Sequence, residues 1–248
     1  NTRSRGLGDV YKRQVLTLHR RLSEHQLVEI RISEQIDGDA CLDDFLSDDR
    51  EEVIFPKQVH GGGVLFVRGR EQRERMEGDA LVTDEQGPWI GVRVADCVPV
   101  ALYTSGLTLP LVAVVHAGWK GIRSGILENT VREMKRLGGD SISAVVGPHI
   151  SPNCYEFGVE DLNEMIALIG PHVAAVTAEG RPALDLGAGV EAVLRREKVG
   201  LDLRLGRCTA LDNRYWSHRA NGDEERFALL ARIGAVSYTH LTLPTTEA

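Results

Sequence analysis

The chain has 248 residues, 42% of them hydrophobic and 26% charged, with a formal net charge of −7. That length and balance suit a globular chain with a sizeable core. The acidic charge argues against partners such as nucleic acid or an anionic membrane, while leaving room for a local basic pocket that takes a small phosphate. No run reaches the roughly 18 apolar residues of a membrane span.

The chain opens on a basic, aperiodic stretch (1–14) and closes on an equally patternless one (236–248). Both read as non-native scars, which leaves one domain over 15–235. The acidic segment up to Arg50 assigns no element. Beyond it, valine-rich runs predict strands at 64–67, 80–83, 90–94, 98–103, 111–115 and 142–146. Several are apolar at successive positions, as in a sheet covered on both faces. Gly61-Gly62-Gly63 leads into a strand and reads as a turn, and no G-x-G-x-x-G follows a first strand. Helices are predicted over 122–137, 159–169 and 190–198, with a fourth at 224–233 before Gly234. The pattern predicts an α/β fold: a single layered domain with a mixed β-sheet core flanked by helices. Cys41, Cys97, Cys154 and Cys208 form no C-x-x-C pair, which favours free thiols and a cytoplasmic setting.

Two residues stand where chemistry is expected. Cys97 follows Asp96 and precedes Val98-Pro99, so the chain turns out of a strand beside a thiol. His116 ends an apolar run and opens Ala117-Gly118-Trp119-Lys120-Gly121, where small residues admit a ligand and Lys120 offers a phosphate contact. A thiol and an imidazole at strand ends suit a Cys/His dyad or a metal site equally. His60, in Lys57-Gln58-Val59-His60-Gly61, would decide between them, but spacing alone does not bring it in. Asp79 and Asp96 are candidate partners for a ligating imidazole. Gly147-Pro148-His149-Ile150 with Cys154-Tyr155-Glu156 makes a rim loop or a turn, and Trp119 a pocket wall or core. Tyr215-Trp216-Ser217-His218-Arg219 could stack a ring and anchor an anion.

These segments, together with Asp79-Ala80-Leu81-Val82-Thr83 and Cys208-Thr209, occur in order over 57–233 and resemble the YfiH family, also called the laccase-domain or polyphenol-oxidase family. The resemblance implies a zinc ion held by His60, Cys97 and His116, with a fourth position open to water or substrate. It implies phosphorolysis of adenosine, inosine, guanosine and methylthioadenosine, and deamination of adenosine. Purine nucleosides and phosphate would be the partners of a chain expected to be a monomer. Cys97, His116 and Asp96 would be catalytic, with Lys120, His149 and Arg219 binding substrate. The chain departs from the family pattern in three places. The usual early segment with Arg, paired glycines and Asn-Leu is not found in 15–50, as in a truncated start. Lys120 and His218 stand where arginine and tyrosine are usual. The rival functions are a copper-dependent polyphenol oxidase, a hydrolase using Cys97 and His116, and a metal-stabilised binding module.

Overall fold

Valine-rich strands with both faces buried carry the molecule. The computed structural model describes residues 16–42, 45, 53–68, 76–104 and 109–236. In chain order the elements are β1 (Leu16–Arg21), β2 (Gln26–Ile32), β3 (Val53–Ile54), β4 (Val64–Phe66), β5 (Ala80–Thr83), β6 (Trp89–Val94), β7 (Val98–Thr104) and β8 (Val112–Ala117). Helices α1 (Trp119–Arg123) and α2 (Ile126–Arg136) follow, then β9 (Ile142–Val146), α3 (Val159–Ile169), β10 (Ala174–Val176) and β11 (Pro182–Leu184). The chain continues through α4 (Leu186–Arg196), β12 (Gly200–Arg204), α5 (His218–Asn221) and β13 (Phe227–Ala235).

A six-stranded mixed sheet has the order β12-β9-β7-β8-β5-β4, and a five-stranded sheet has the order β1-β2-β13-β6-β3. Side chains alternate along each central strand of the larger sheet. Val98, Val100 and Leu102 of β7 and Ala113, Val115 and Ala117 of β8 pack with Leu127, Val131 and Met134 of α2 and Val190 and Val193 of α4. Ala101, Tyr103, Val112 and Val114 point the other way and pack with Val28, Ile30, Ile90, Val92 and Phe227 of the second sheet. The unbroken apolar runs therefore have the expected cause: each face of the sheet is covered. Helices flank one face, and the second sheet covers the other. Among the described residues no helix is long and apolar enough to cross a membrane.

Four expectations need correction. The helix expected at 224–233 is the strand β13, which lies between β2 and β6 at the centre of the five-stranded sheet. Its alanines and leucines favour a helix locally, but Phe227, Leu229, Ala231 and Ile233 face one buried cluster and Ala228 and Leu230 another. Tertiary packing with period two overrides that weak propensity. The helix expected at 122–137 is two helices, because Gly125 adopts φ +73° between α1 and α2. The acidic start, whose sequence assigns no element, contains β1 and the fully paired β2. The third predicted helix begins earlier, at Leu186, where Asp185 caps it by accepting from the Ala188 N–H. Apart from Val236, the two terminal stretches that read as scars lie outside the described residues.

Leu229 is fully buried in β13. Leu229→Ala should cost about 2–5 kcal/mol in urea unfolding, as core truncations do. A loss below about 1 kcal/mol would contradict the central position of β13.

Candidate metal centre

Register brings the first two donors together. In the antiparallel pairing of β7 with β8, Val98 faces Ala117 and Pro99 faces His116. Cys97, one residue before β7, therefore lies at the same end of the sheet as His116. His116 shares the strand face of Val112 and Val114, and Cys97 packs against the cluster between the two sheets. Both donors thus sit where the second sheet runs out, beside Val94 at the end of β6. His60 arrives from the loop before β4. The donor atoms of His60, Cys97 and His116 all lie within 4.8 Å of one another, and the two imidazoles meet edge to face at 4.7 Å. His60 is exposed, Cys97 partly buried and His116 buried.

One carboxylate organises this cluster. Asp79 is fully buried just before β5. Its oxygens accept from the backbone N–H groups of Val59 (3.2 Å), His60 (2.9 Å) and Gly61 (2.7 Å). They also meet His116 Nδ1 at 2.8 Å, which leaves Nε2 of that ring free to ligate. The Asp79 carbonyl accepts from the His116 N–H at 2.7 Å. The clasp bends the chain so that His60 has φ +58°, a conformation uncommon outside glycine. Burial alone would push Asp79 up, but the bonds from His116, Gly61 and Val59 outweigh it and hold the carboxyl below its ordinary value.

The thiol is activated by the same neighbours. Burial would raise Cys97, yet His116 and His60 lower it to about 6. Burial would likewise lower His116, and the Cys97 thiolate and Asp79 instead raise it to about 9. A thiolate with two imidazoles is a borderline-soft donor set that fits a divalent first-row ion, and three protein donors leave a position open. Gly118, the residue before α1, makes room for the set: a Cβ there would stand 2.8 Å from Cys97 Sγ and 3.2 Å from His60 Cδ2. The sequence marks that glycine as room for a ligand, and the structure fills the room with the donors themselves. Gly62 closes the His60 loop, since a Cβ there would overlap the Ser124 carbonyl.

The cluster opens into a cleft of about 550 Å³. Its wall includes Lys57, Gln58, Arg93, Asp96, Tyr155, His218, Arg219 and Arg226. The sequence suggests Asp96 as a catalytic group or an imidazole partner, and the structure gives it a different set of partners. Its carboxylate accepts from Thr209 Oγ1 and Ser217 Oγ, both at 2.7 Å, and from the Arg219 N–H at 2.7 Å. Its carbonyl accepts from the Ile150 N–H. With φ +89°, Asp96 turns the chain into β7 and ties three loops around the cleft.

Arg219 and Tyr155 line the cleft as a pair, the guanidinium 4.7 Å over the ring. Lys120 and His149 are not among the lining residues. Lys120 is exposed on α1, its Nζ 5.6 Å from the Trp119 ring centre. His149 is buried, bonded through Nδ1 to the Gly147 carbonyl at 2.8 Å, and burial lowers its pKa. Trp119 packs edge-on against Phe157 instead of walling the cleft. Glu156 pairs with Arg181, leaving only its carbonyl to hold Arg219. Sequence reasoning misses Arg93 and Arg226. For Arg93 a signal exists, a lone charge inside the otherwise apolar strand Trp89–Val94.

A family model described as multi-copper polyphenol oxidoreductase laccase matches residues 39–233. The chain belongs to that family. It is 33% identical over 69% of its length to a protein named purine nucleoside phosphorylase from Clostridium acetobutylicum, covering 72% of that relative. A protein of the same name from Streptomyces coelicolor is 36% identical over 73% of this chain and 74% of its own. One named adenosine deaminase, from an unknown prokaryotic organism, is 38% identical over 59% of this chain and 60% of its own. The fold matches the crystal structure of the hypothetical protein YfiH of Bacillus licheniformis with a TM-score of 0.71 at 21% identity, over 86% of this chain and 98% of that one. It also matches YlmD of Geobacillus stearothermophilus with a TM-score of 0.65 at 22% identity, over 90% and 100%.

Three outcomes test the geometry. Asp79→Asn should weaken metal binding about 10–100-fold in competition with a chromophoric chelator, as loss of a ligand's orienting partner does. Because Asp79 is held below its ordinary value of 3.8, its contribution to stability is complete above that pH and is lost as the pH falls through the lower folded value. The stability gap between the wild type and Asp79→Asn should therefore narrow in acid. Gly118→Ala should reduce metal stoichiometry while far-UV circular dichroism stays native. Full metal loading in that variant would show that the donors need no such room.

Proposed function

We propose that the chain is a zinc-dependent purine nucleoside enzyme. Its reactions are phosphorolysis of adenosine, inosine, guanosine and methylthioadenosine, and deamination of adenosine. One observation carries this reading: the donors of His60, Cys97 and His116 converge within 4.8 Å in the lining of an open cleft. Three protein donors with an open fourth position suit a catalytic zinc better than a closed structural one. The names of the relatives, purine nucleoside phosphorylase and adenosine deaminase, support the substrate class. When bound, the zinc would supply a Lewis acid in that cleft.

The chain's own residues bind and orient. Asp79 holds His116 through Nδ1 and sets the loop of His60, so the donors are in place before substrate arrives. Tyr155 and Arg219 offer a ring face and a cation along the wall. Asp96 fixes the loops that carry them.

A second reading keeps the site and changes the chemistry. Cys97, lowered to about 6 beside His116, has the thiolate character of a nucleophile. Metal analysis separates the two, because a ligated thiolate is not free to attack.

Zinc-loaded protein incubated with adenosine and phosphate should yield ribose 1-phosphate and inosine. Cys97→Ala and His60→Ala should each lose stoichiometric zinc and at least about 100-fold of turnover, in line with removal of a catalytic group. No product from any of the four nucleosides would overturn the purine reading, and stoichiometric copper in place of zinc would favour the oxidase.

A further inference from the structure

Arginines in this chain are usually paired with carboxylates. Arg20 pairs with Asp202, Arg123 with Glu164, Arg136 with Glu133, Arg181 with Glu156, Arg214 with Asp212 and Arg232 with Glu29. With 36 acidic residues against 29 Lys and Arg, an arginine without such a partner is unexpected. Three of them line the cleft that holds the donor cluster: Arg93, Arg219 and Arg226.

Each is held by neutral groups. Arg93 donates from Nε to the Ala40 carbonyl at 2.7 Å and lies 4.0 Å over the Phe55 ring. Arg219 donates from Nη1 to the Glu156 carbonyl at 2.9 Å and lies over Tyr155. Arg226 donates from Nη1 to the carbonyls of Asp223 (3.0 Å) and Glu225 (2.7 Å). Carbonyls and ring faces orient a guanidinium without cancelling its charge, and each retains further N–H donors. Among the described residues no carboxylate forms an ion pair with these three guanidiniums, and the nearby ones bond elsewhere. Asp96, on the cleft wall, is taken by Thr209, Ser217 and the Arg219 N–H. Asp39, whose charge acts on Arg93 from nearby without pairing with it, accepts the backbone N–H groups of Cys41 and Arg226 through Oδ1. Lys57, the lysine on the wall, is paired with Glu77.

We infer that Arg93, Arg219 and Arg226 form a phosphate subsite in the wall of the cleft beside the His60–Cys97–His116 cluster. A tetrahedral oxyanion offers the many acceptors that planar, pre-oriented guanidinium forks match. The inference rests on the purine nucleoside reading for its substrate, and it moves the phosphate contact from Lys120 to these three arginines. In phosphorolysis a phosphate oxygen bonds to the anomeric carbon of the sugar. The carbon–nitrogen bond breaks, its electron pair leaves with the purine, and the purine takes up a proton. The phosphate can reach the subsite as the free ion or already attached to a nucleoside.

Calorimetric titration of the zinc-loaded protein with inorganic phosphate, adenosine and adenosine 5′-monophosphate tests the inference without relying on turnover. The variants are Arg219→Gln, Arg226→Gln and Arg93→Lys, with Lys135→Gln outside the cleft as the reference. Arg93→Lys keeps the stem and charge over Phe55 and loses the fork, and far-UV circular dichroism checks that the fold is kept. Phosphate affinity should fall at least tenfold in each cleft variant relative to the reference. In steady state the KM for phosphate should rise at least tenfold more than the KM for adenosine in deamination, which consumes water instead. If the phosphate arrives on the substrate, adenosine 5′-monophosphate should bind more tightly than adenosine and lose that advantage in the same variants. Phosphate and monophosphate affinities unchanged in all three variants would overturn the subsite. Phosphate binding that depends on the arginines without turnover of any nucleoside would keep the subsite and remove the purine reading.

Discussion

A single buried carboxylate sets the geometry of the candidate metal centre. Asp79 holds three successive backbone N–H groups of the His60 loop and the Nδ1 atom of His116, so one side chain positions a loop donor and a strand donor together. It can do so because β5 lies beside β8, with Ala80 opposite Val115, which carries Asp79 past the end of the strand to the level of His116. A buried carboxylate is costly unless its acceptor sites are filled. Here four donors fill them, and the imidazoles of His116 and His60 both hydrogen-bond with Cys97.

The layering explains why the centre sits at an edge. Apolar side chains on alternate faces of β7 and β8 bury the sheet against helices on one side and the five-stranded sheet on the other. Polar chemistry has no place between those layers, so the donors appear only where the strands end. The cleft there is walled by loops from distant parts of the chain. Asp96 ties these loops together at the expense of a left-handed backbone at φ +89°, a conformation that persists only where surrounding bonds determine it. The wall is basic although the chain is acidic overall, because its arginines are held by carbonyls and rings.

Much of this is legible in the sequence. The six strands from β4 to β9 stand within a residue or two of their predicted positions, because valine-rich runs covered on both faces leave a strong local signal. The setting of Asp79 in the chain likewise makes it a candidate partner for an imidazole. Strand β13 is not legible: Phe227-Ala228-Leu229-Leu230-Ala231 favours a helix by composition, and only its place between β2 and β6 makes it a strand. Lys120 and His149 carry plausible chemistry in glycine-rich and proline-rich settings. Whether a side chain reaches the cleft depends on the direction it leaves the backbone, which spacing along the chain does not encode.

The sequence by itself determined the layered α/β class and the thiol and imidazole at adjacent strand ends. Through its ordered motifs it also pointed to His60 as the third donor. These are local or familial properties, written in runs of a few residues. The tertiary structure decided which carboxylate serves the cluster, which arginines face the cleft unpaired, and that the last strand is a strand. Each of those depends on contacts between residues far apart in the chain, from Asp79 to His116 and from Asp96 to Arg219. Such contacts are set by register and packing, and these exist only once the sheets have formed.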